Sequence, residues 1–354
     1  MEKIRFALAG TGWRALFFVR AAKLLPERFE LTAVLCRTPE RAQAFAREHG
    51  VRAVFTMDAL LETRPEFVVS CVSKAGMKDM AQALLRAGTP VLCETPFATD
   101  IPSLLALYEA QRETGTALAL AEQYFLFPSH QARRALIDRG LLGDVVSCRL
   151  STAHDYHGIS LMRHYLGDEG GDVSIRAERT HTPIVVTGDR SGYLTDGQMG
   201  EETRVFARFA YPDGRLGLHD FSGTQYHSAI RSRHVRILGT RGEISDDEVY
   251  YLTGDNRPAR GRLTALRDVM TGTIRAIEFD GERVYENPFR ADVPMDEDEI
   301  AVCGVLAGMG AQVRGGEPFY PLAWALRDAH LTCLLQSAAD SGEETVSRRM
   351  PWDA

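Results

Sequence analysis

Between residues 4 and 120 short apolar runs alternate with amphipathic stretches, and nothing else in the chain restricts its fold so strongly. "KIRFALAG" reads as a strand, "WRALFFVRAAKLL" as a helix, "FELTAVLC" as a strand and "TPERAQAFAREHG" as a helix. Apolar runs of this kind suit strands buried on both faces, and the alternation predicts a parallel sheet of βαβ units. In the second helix Thr38 is the N-cap, Pro39 the first helical residue and Gly50 the C-terminal stop. The pattern continues through "FVVSCVS", "GMKDMAQALLRAG", "PVLC", "IPSLLALYEAQRETG" and "ALALAEQY". One doubly wound domain is therefore expected, ending near Tyr124.

After a helical bridge in "SHQARRALIDRGLLG" the runs lengthen: "DVVSCRLSTAHDY", "ERTHTPIVV", "ETRVFARFAYPDGRLGLHDFSGTQY" and "RHVRILGTRGEISDDEVYYL". With "PDG" and "GTRGE" as turns they predict an open antiparallel sheet, followed by two closing helices. Periodicity is poor from Thr253 to Asp292, and no structure is assigned there. The expected fold class is α/β: a Rossmann domain with a doubly wound parallel sheet over residues 1–124, then an α/β domain with a large open, mainly antiparallel sheet over 125–354. With 354 residues, 45% of them hydrophobic, the chain can bury two cores.

A net charge of −7 with no basic block argues against nucleic acid as a partner. The six cysteines contain no CxxC pair, which signals neither a zinc site nor a disulfide framework and fits a reducing cytoplasm. No apolar run is long enough for a membrane span or an export signal, so a soluble cytoplasmic protein is expected.

"GTGWRA" lies between the first strand and the first helix. Gly10 permits the turn, Gly12 allows backbone N–H groups to approach a pyrophosphate, and Ala15 lets the helix pack closely. Thr11, Trp13 and Arg14 complete the turn and are candidate walls of a dinucleotide site. The second strand ends in Cys36, Arg37 and Thr38 where an acid would bind the ribose hydroxyls of NAD. A guanidinium and a hydroxyl suit a 2′-phosphate, which favours NADP over NAD. Ser73 and Lys74 follow the fourth strand, in a loop at the carboxyl edge of the sheet where ligands bind; Lys74 is one of only four lysines.

Together these segments resemble the Gfo/Idh/MocA family over nearly the whole chain, from "GTGWRA" through "AQALLRAGTPVLCETPFA" and "QARRALIDRGLLGDVVS" to "VRILGTRGEI" and "SAADSGEETV". The resemblance implies the same two-domain plan, NAD(P)-linked oxidation or reduction of a sugar or polyol carbon, and a homo-oligomer, dimer or tetramer, formed through the open sheet. It also implies a Glu-Lys-Pro motif whose lysine bonds the reacting oxygen. Here Glu94 and Pro96 match but Thr95 replaces the lysine, and a threonine hydroxyl does not titrate near neutrality.

The family's second signature is an aspartate four residues before a histidine, and "STAHDYHGISLMRHYLG" aligns His157 with the histidine and Ala153 with the aspartate. His154 and Asp155 stand between them as further candidates, Asp155 as the helix N-cap or as the partner that orients His157. His-x-x-His has no third ligand at a telling spacing, so no metal site is expected. His181, His219, Asp220, Tyr226 and His227 lie on later strands, on faces the sequence leaves open, and Tyr320 and Trp324 read as core.

Three functions stay open at this level. One is an oxidoreductase acting on a small carbohydrate-like molecule, with His157 and Lys74 compensating for Thr95. The second is a redox-neutral lyase or glycosidase holding NAD(P) tightly, and the third a non-catalytic dinucleotide sensor.

Overall fold

The computed structural model describes residues 2–167 and 171–353. Six parallel strands make the first sheet: β1 (Ile4–Ala9), β2 (Phe29–Leu35), β3 (Ala53–Val54), β4 (Phe67–Ser70), β5 (Val91–Cys93) and β6 (Leu118–Leu120). Their order is β3-β2-β1-β4-β5-β6, which reverses direction between β1 and β4. Phe6, Leu8, Val34, Phe67, Val68 and Leu92 are wholly buried, as strands covered on both faces require. The crossovers are α1 (Ala15–Leu24), α2 (Pro39–His49), α3 (Met57–Leu61), α4 (Lys74–Arg86) and α5 (Ile101–Thr114). α2 has the ends its sequence predicts: the Thr38 hydroxyl accepts from the Arg41 N–H at 3.2 Å, and Gly50 turns at φ 63°. β3 and α3, of two and five residues, are too short to show a period in sequence.

The second sheet follows α6 (Pro128–Asp138) and is interrupted by α7 (Asp155–Leu166). It contains β7 (Val145–Ser151) and β8 (Ser174–Val185); β9 (Gly188–Asp189) and β10 (Gly192–Tyr193) form a separate small ribbon. It continues with β11 (Met199–Ala210), β12 (Leu216–Ser222), β13 (His234–Gly239), β14 (Gly242–Ser245) and β15 (Glu248–Leu252). β16 (Pro258–Arg267), β17 (Ile274–Phe279), β18 (Glu282–Glu286) and β19 (Thr345–Val346) complete eleven strands. Its pairings are mainly antiparallel, with β12 running parallel to β7. The stretch without periodicity thus supplies three strands, in which eight charged residues interrupt the apolar pattern.

Side chains alternate across the middle strands of this sheet. Cys148, Leu150, Val205, Phe209, Phe221 and Ile237 are buried on one face, while Arg149, Phe206, Arg208 and Arg236 are exposed on the other. α7 covers the buried face closely enough that Gly217 has no room for a Cβ beside Met162.

Contacts cluster into two compact units. One comprises 1–128, 267–274 and 287–329, the other 129–266, 275–286 and 330–354. The first unit includes α8 (Glu297–Val313), which packs on α1 and lays Gly310 against Ile4 of β1. A capping box starts α8: the Asp296 carboxylate accepts from the Glu299 N–H at 2.8 Å, and Glu299 accepts from the Asp296 N–H at 3.1 Å. α9 (Leu322–Ser341) is the last helix. Among the described residues no helix is long and apolar enough to cross a membrane.

Candidate functional site

At the carboxyl ends of β1 and β4 the chain is drawn together by a hydrogen bond from the Cys71 N–H to the Ala9 carbonyl, 2.7 Å. Gly10 has φ 112°, and a Cβ there would lie 2.5 Å from the Cys71 carbonyl oxygen, so the turn itself demands glycine. Gly12 differs. A Cβ on Gly12 would find no heavy atom nearer than 4.0 Å, so packing within the protein does not require a glycine. The space beside that backbone, before the N-terminus of α1, is what a dinucleotide pyrophosphate needs.

Arg37 is exposed after β2 and has no hydrogen-bond or ionic partner among the described residues. Ser73 stands at the N-cap of α4, and Lys74 is the first residue of that helix rather than part of a loop as the sequence suggested. The Lys74 ammonium is exposed and likewise has no partner among the described residues.

Behind the glycine turn lies a buried ionic clamp. Arg14 Nε donates to Glu94 at 3.2 Å, and its two terminal nitrogens donate to the Asp298 carboxylate at 2.7 and 3.1 Å. Gln123 donates to Asp298 at 3.3 Å, and the other Glu94 oxygen accepts from the Thr95 N–H at 3.2 Å. Side-chain exposures of 18%, 11% and 25% for Arg14, Glu94 and Asp298 make this a desolvated group. Burial works against the Arg14 charge, but Glu94 and Asp298 outweigh it and raise its pKa. Burial, with Glu94 nearby, also pushes up the Cys71 and Cys93 thiols. The Thr95–Pro96 peptide bond is cis. Trp13 is 51% exposed and meets Phe17 edge to face at 4.8 Å.

In the second unit two imidazoles and a phenol gather at the start of α7. His154, not Asp155, is the N-cap residue of α7, and its side chain does not cap the helix. Its Nδ1 instead lies 2.7 Å from the Tyr226 hydroxyl, which also accepts from the His154 backbone N–H at 3.1 Å. Asp155 begins the helix at φ 31°, a strained value for a non-glycine residue. His157 is buried, and its ring meets His154 edge to face at 4.9 Å.

Tyr226 ends a short 3-10 turn, Gly223–Tyr226, closed by a capping box between Ser222 and Gln225. The Gln225 amide donates to the Ser151 hydroxyl at 3.0 Å and the Ser232 carbonyl at 2.6 Å, which fixes the turn to β7. His219 faces α7 at Gly158, with neither ring nitrogen hydrogen-bonded among the described residues, and burial pushes its pKa down to about 4. Asp220 points to the opposite face, paired with Arg149 at 2.6 Å and Arg204 at 2.7 Å.

Of the later candidates, His154, His157 and Tyr226 come together, whereas His227 is exposed and His181 is exposed beside Glu201 at 3.0 Å. Tyr320 is core as expected, but Trp324 is 43% exposed because it lies on the outer side of α9. Asp298 and Gln123 escaped the sequence reading: Asp298 is 284 residues from Arg14, and no local pattern links them. Among the described residues no three His, Cys, Asp or Glu side chains are grouped to hold a metal.

Residues 4–122 match the family model described as an oxidoreductase family with an NAD-binding Rossmann fold. The chain is 37% identical to dTDP-3,4-didehydro-2,6-dideoxy-alpha-D-glucose 3-reductase of Streptomyces violaceoruber, across 96% of each protein. It is 31% identical to a scyllo-inositol 2-dehydrogenase (NADP(+)) of Bacillus subtilis, across 70% of this chain and 77% of that one. In fold it is similar to levoglucosan dehydrogenase in complex with NADH and levoglucosan, with a TM-score of 0.72 at 15% identity over 98% of this chain and 99% of that one.

Proposed function

The chain belongs to the Gfo/Idh/MocA family of oxidoreductases, and on that premise we propose that it is an NADP-dependent enzyme whose sugar substrate meets its acid–base groups beside α7. It is a nicotinamide-dependent oxidoreductase of a hydroxyl or keto carbon in a sugar or polyol derivative. The observation that carries the cofactor reading is the glycine turn at the β1/β4 reversal, with an open Gly12 and an unengaged Arg37 at the end of β2. Gly10, Thr11 and Gly12 would hold the pyrophosphate, Arg37 and the N-terminus of α2 after Thr38 the 2′-phosphate, and Ser73, Lys74, Glu94, Thr95 and Pro96 the wall at the ends of β4 and β5. Bound there, the nicotinamide would supply or accept the hydride. Trp13 shields one side of the turn, and Arg14 acts from behind it through Glu94.

The proton is assigned to His157, the titratable residue at the position of the family histidine, with His154 and Asp155 beside it at the start of its helix. As substrate we propose a nucleotide-linked deoxy keto sugar, because the likeness to the dTDP-sugar reductase extends through the second unit. The expected assembly is a homo-oligomer formed on the exposed sheet face around Phe206 and Leu218, working in the cytoplasm, where six free cysteines remain reduced.

Titration calorimetry with NADPH and NADH tests the cofactor reading. Arg37→Ala should weaken NADPH alone by roughly ten- to a hundredfold, the worth of a charge-assisted phosphate contact of about 1.5 to 3 kcal/mol. Equal wild-type affinity for both cofactors contradicts it. Nicotinamide absorbance with the dTDP-linked keto sugar, scyllo-inositol and levoglucosan tests the substrate reading, and turnover of the first is expected to be fastest.

A further inference from the structure

We propose that two copies of this chain join through the open faces of their second sheets about a two-fold axis beside Phe206, so that Arg208 of each copy pairs with Glu178 of the other. The inference rests on the assembly reading above and deepens it, by fixing which side chains meet and in what orientation.

Strand register places the side chains concerned. In the β11/β8 ladder Phe206 stands opposite Glu178 and Arg208 opposite Arg176, and on the other side of β11 Arg208 stands opposite Leu218 of β12. All five lie on one face, because paired residues share a face and residues two apart on a strand point the same way. A shallow hollow of about 440 Å³ opens among them and is also bordered by Asp220. Phe206 is 41% exposed there.

The charges of the hollow are matched within the chain, with two exceptions. Asp220 holds Arg149 at 2.6 Å and Arg204 at 2.7 Å, and Glu344 holds Arg176 at 2.6 Å. Arg208 and Glu178 are both exposed, and neither makes a hydrogen bond or salt bridge among the described residues. One cation and one anion are thus left over beside an exposed aromatic ring. A partner of a single sign, such as a phosphate backbone or an acidic peptide, would satisfy one of them and repel the other. A second copy of the same surface supplies both opposite charges and an apolar cover for Phe206.

The geometry of the ladder makes this contact self-consistent. Phe206 and Arg208 on β11 and Glu178 and Arg176 on β8 are the corners of one rectangle, roughly 4.8 Å across the strands and 6.7 Å along them. A two-fold axis in the plane of the contact that exchanges Arg208 with Glu178 crosses the rectangle close to its other two corners. Phe206 then lies against Phe206 of the second copy, and Arg176 against Arg176, whose charge Glu344 already balances. Stacked sheets stand about 10 Å apart, a gap that an arginine and a glutamate side chain bridge together. The same rectangle turns the strands of one copy by roughly 70° against those of the other, nearer the orthogonal than the aligned class of sheet packing.

Sedimentation velocity of the full chain at micromolar concentration tests the pairing, with a dimer expected for the wild type. Arg208→Glu and Glu178→Arg each set like charges together at two symmetry-related places and should raise the dimer Kd roughly 10²-fold or more. The two combined restore opposite charges and should return Kd to within about tenfold of the wild type, a recovery that general damage to the fold does not produce. A short bismaleimide should link Phe206→Cys to its own copy above the wild-type background, whereas Leu218→Cys, which lies off the axis, should stay unlinked. Single reversals without effect, or a combined variant as weak as the singles, overturn the proposal. If Phe206→Asp splits the dimer while neither reversal weakens it, the assembly reading stands and this pairing alone fails. A monomeric wild type overturns both.

Discussion

At the carboxyl edge of the first sheet Arg14 sits between Glu94 and Asp298, permanently charged and fully paired; beside α7 in the second unit stand two imidazoles and a phenol within hydrogen-bond or ring contact. The contrast bears on proton chemistry. A guanidinium clamped by two carboxylates exchanges no proton near neutrality, whereas an imidazole does so readily. The first unit thus fixes position, and the second carries the groups that titrate. On this account a threonine at position 95 is tolerable, because the clamp needs only its backbone N–H, bonded to Glu94.

The contrast would break first at His157. Truncation to alanine should lower single-turnover hydride transfer by about 10² to 10⁴ while NADPH affinity is retained, because a positioned acid or base has been lost. Stopped-flow nicotinamide absorbance, with calorimetry for binding, reads both. A fully active variant moves the proton chemistry elsewhere.

The next effect concerns the clamp. Arg14→Met leaves Glu94 and Asp298 without their cation, and we expect a loss of about 2 to 4 kcal/mol in urea unfolding, at the lower side for buried pairs because 25% of the Asp298 side chain stays exposed. Arg14→Lys should recover only part of it, since an ammonium cannot reach both carboxylates as a fork does. If Arg14→Met is as stable as the wild type, the clamp is not structural.

Acid should sharpen the difference. Burial depresses His219 and His164 from 6.5 to about 4 in the folded protein, so between those values the unfolded chain binds more protons. Stability is then fully present above pH 6.5 and declines as pH falls toward 4, each group costing at most about 1.4 kcal/mol for every pH unit crossed. Melting curves across this window should flatten for His219→Gln; an unchanged slope would refute the assignment. Smallest of all is Thr95→Ala, worth about 0.5 to 1.5 kcal/mol in transition-state stabilisation if its hydroxyl makes one neutral hydrogen bond.

How far the sequence discloses this depends on whether the signal is local. The βαβ alternation, the Thr38 and Gly50 ends of α2 and the glycine turn are local patterns, and the structure has all of them. Asp298 joins Arg14 through tertiary packing of α8 alone, and no periodicity carries that information. His219 and Asp220 are neighbours in sequence, yet the pleat sends one under α7 and the other to the open face. Their roles could be read only once the register was known. Tyr226 was visible as a residue type but not as a partner of His154, since it lies 72 residues along the chain, where a local capping box sets its position.

The most direct test of the division between the two units is to restore the lysine. In single-turnover reduction of the dTDP-linked keto sugar with NADPH, Thr95→Lys should be no faster than the wild type and should not rescue His157→Ala, because the acid–base groups lie beside α7. A Thr95→Lys enzyme that returns His157→Ala to the wild-type rate would contradict the account and make residue 95 the seat of the proton chemistry.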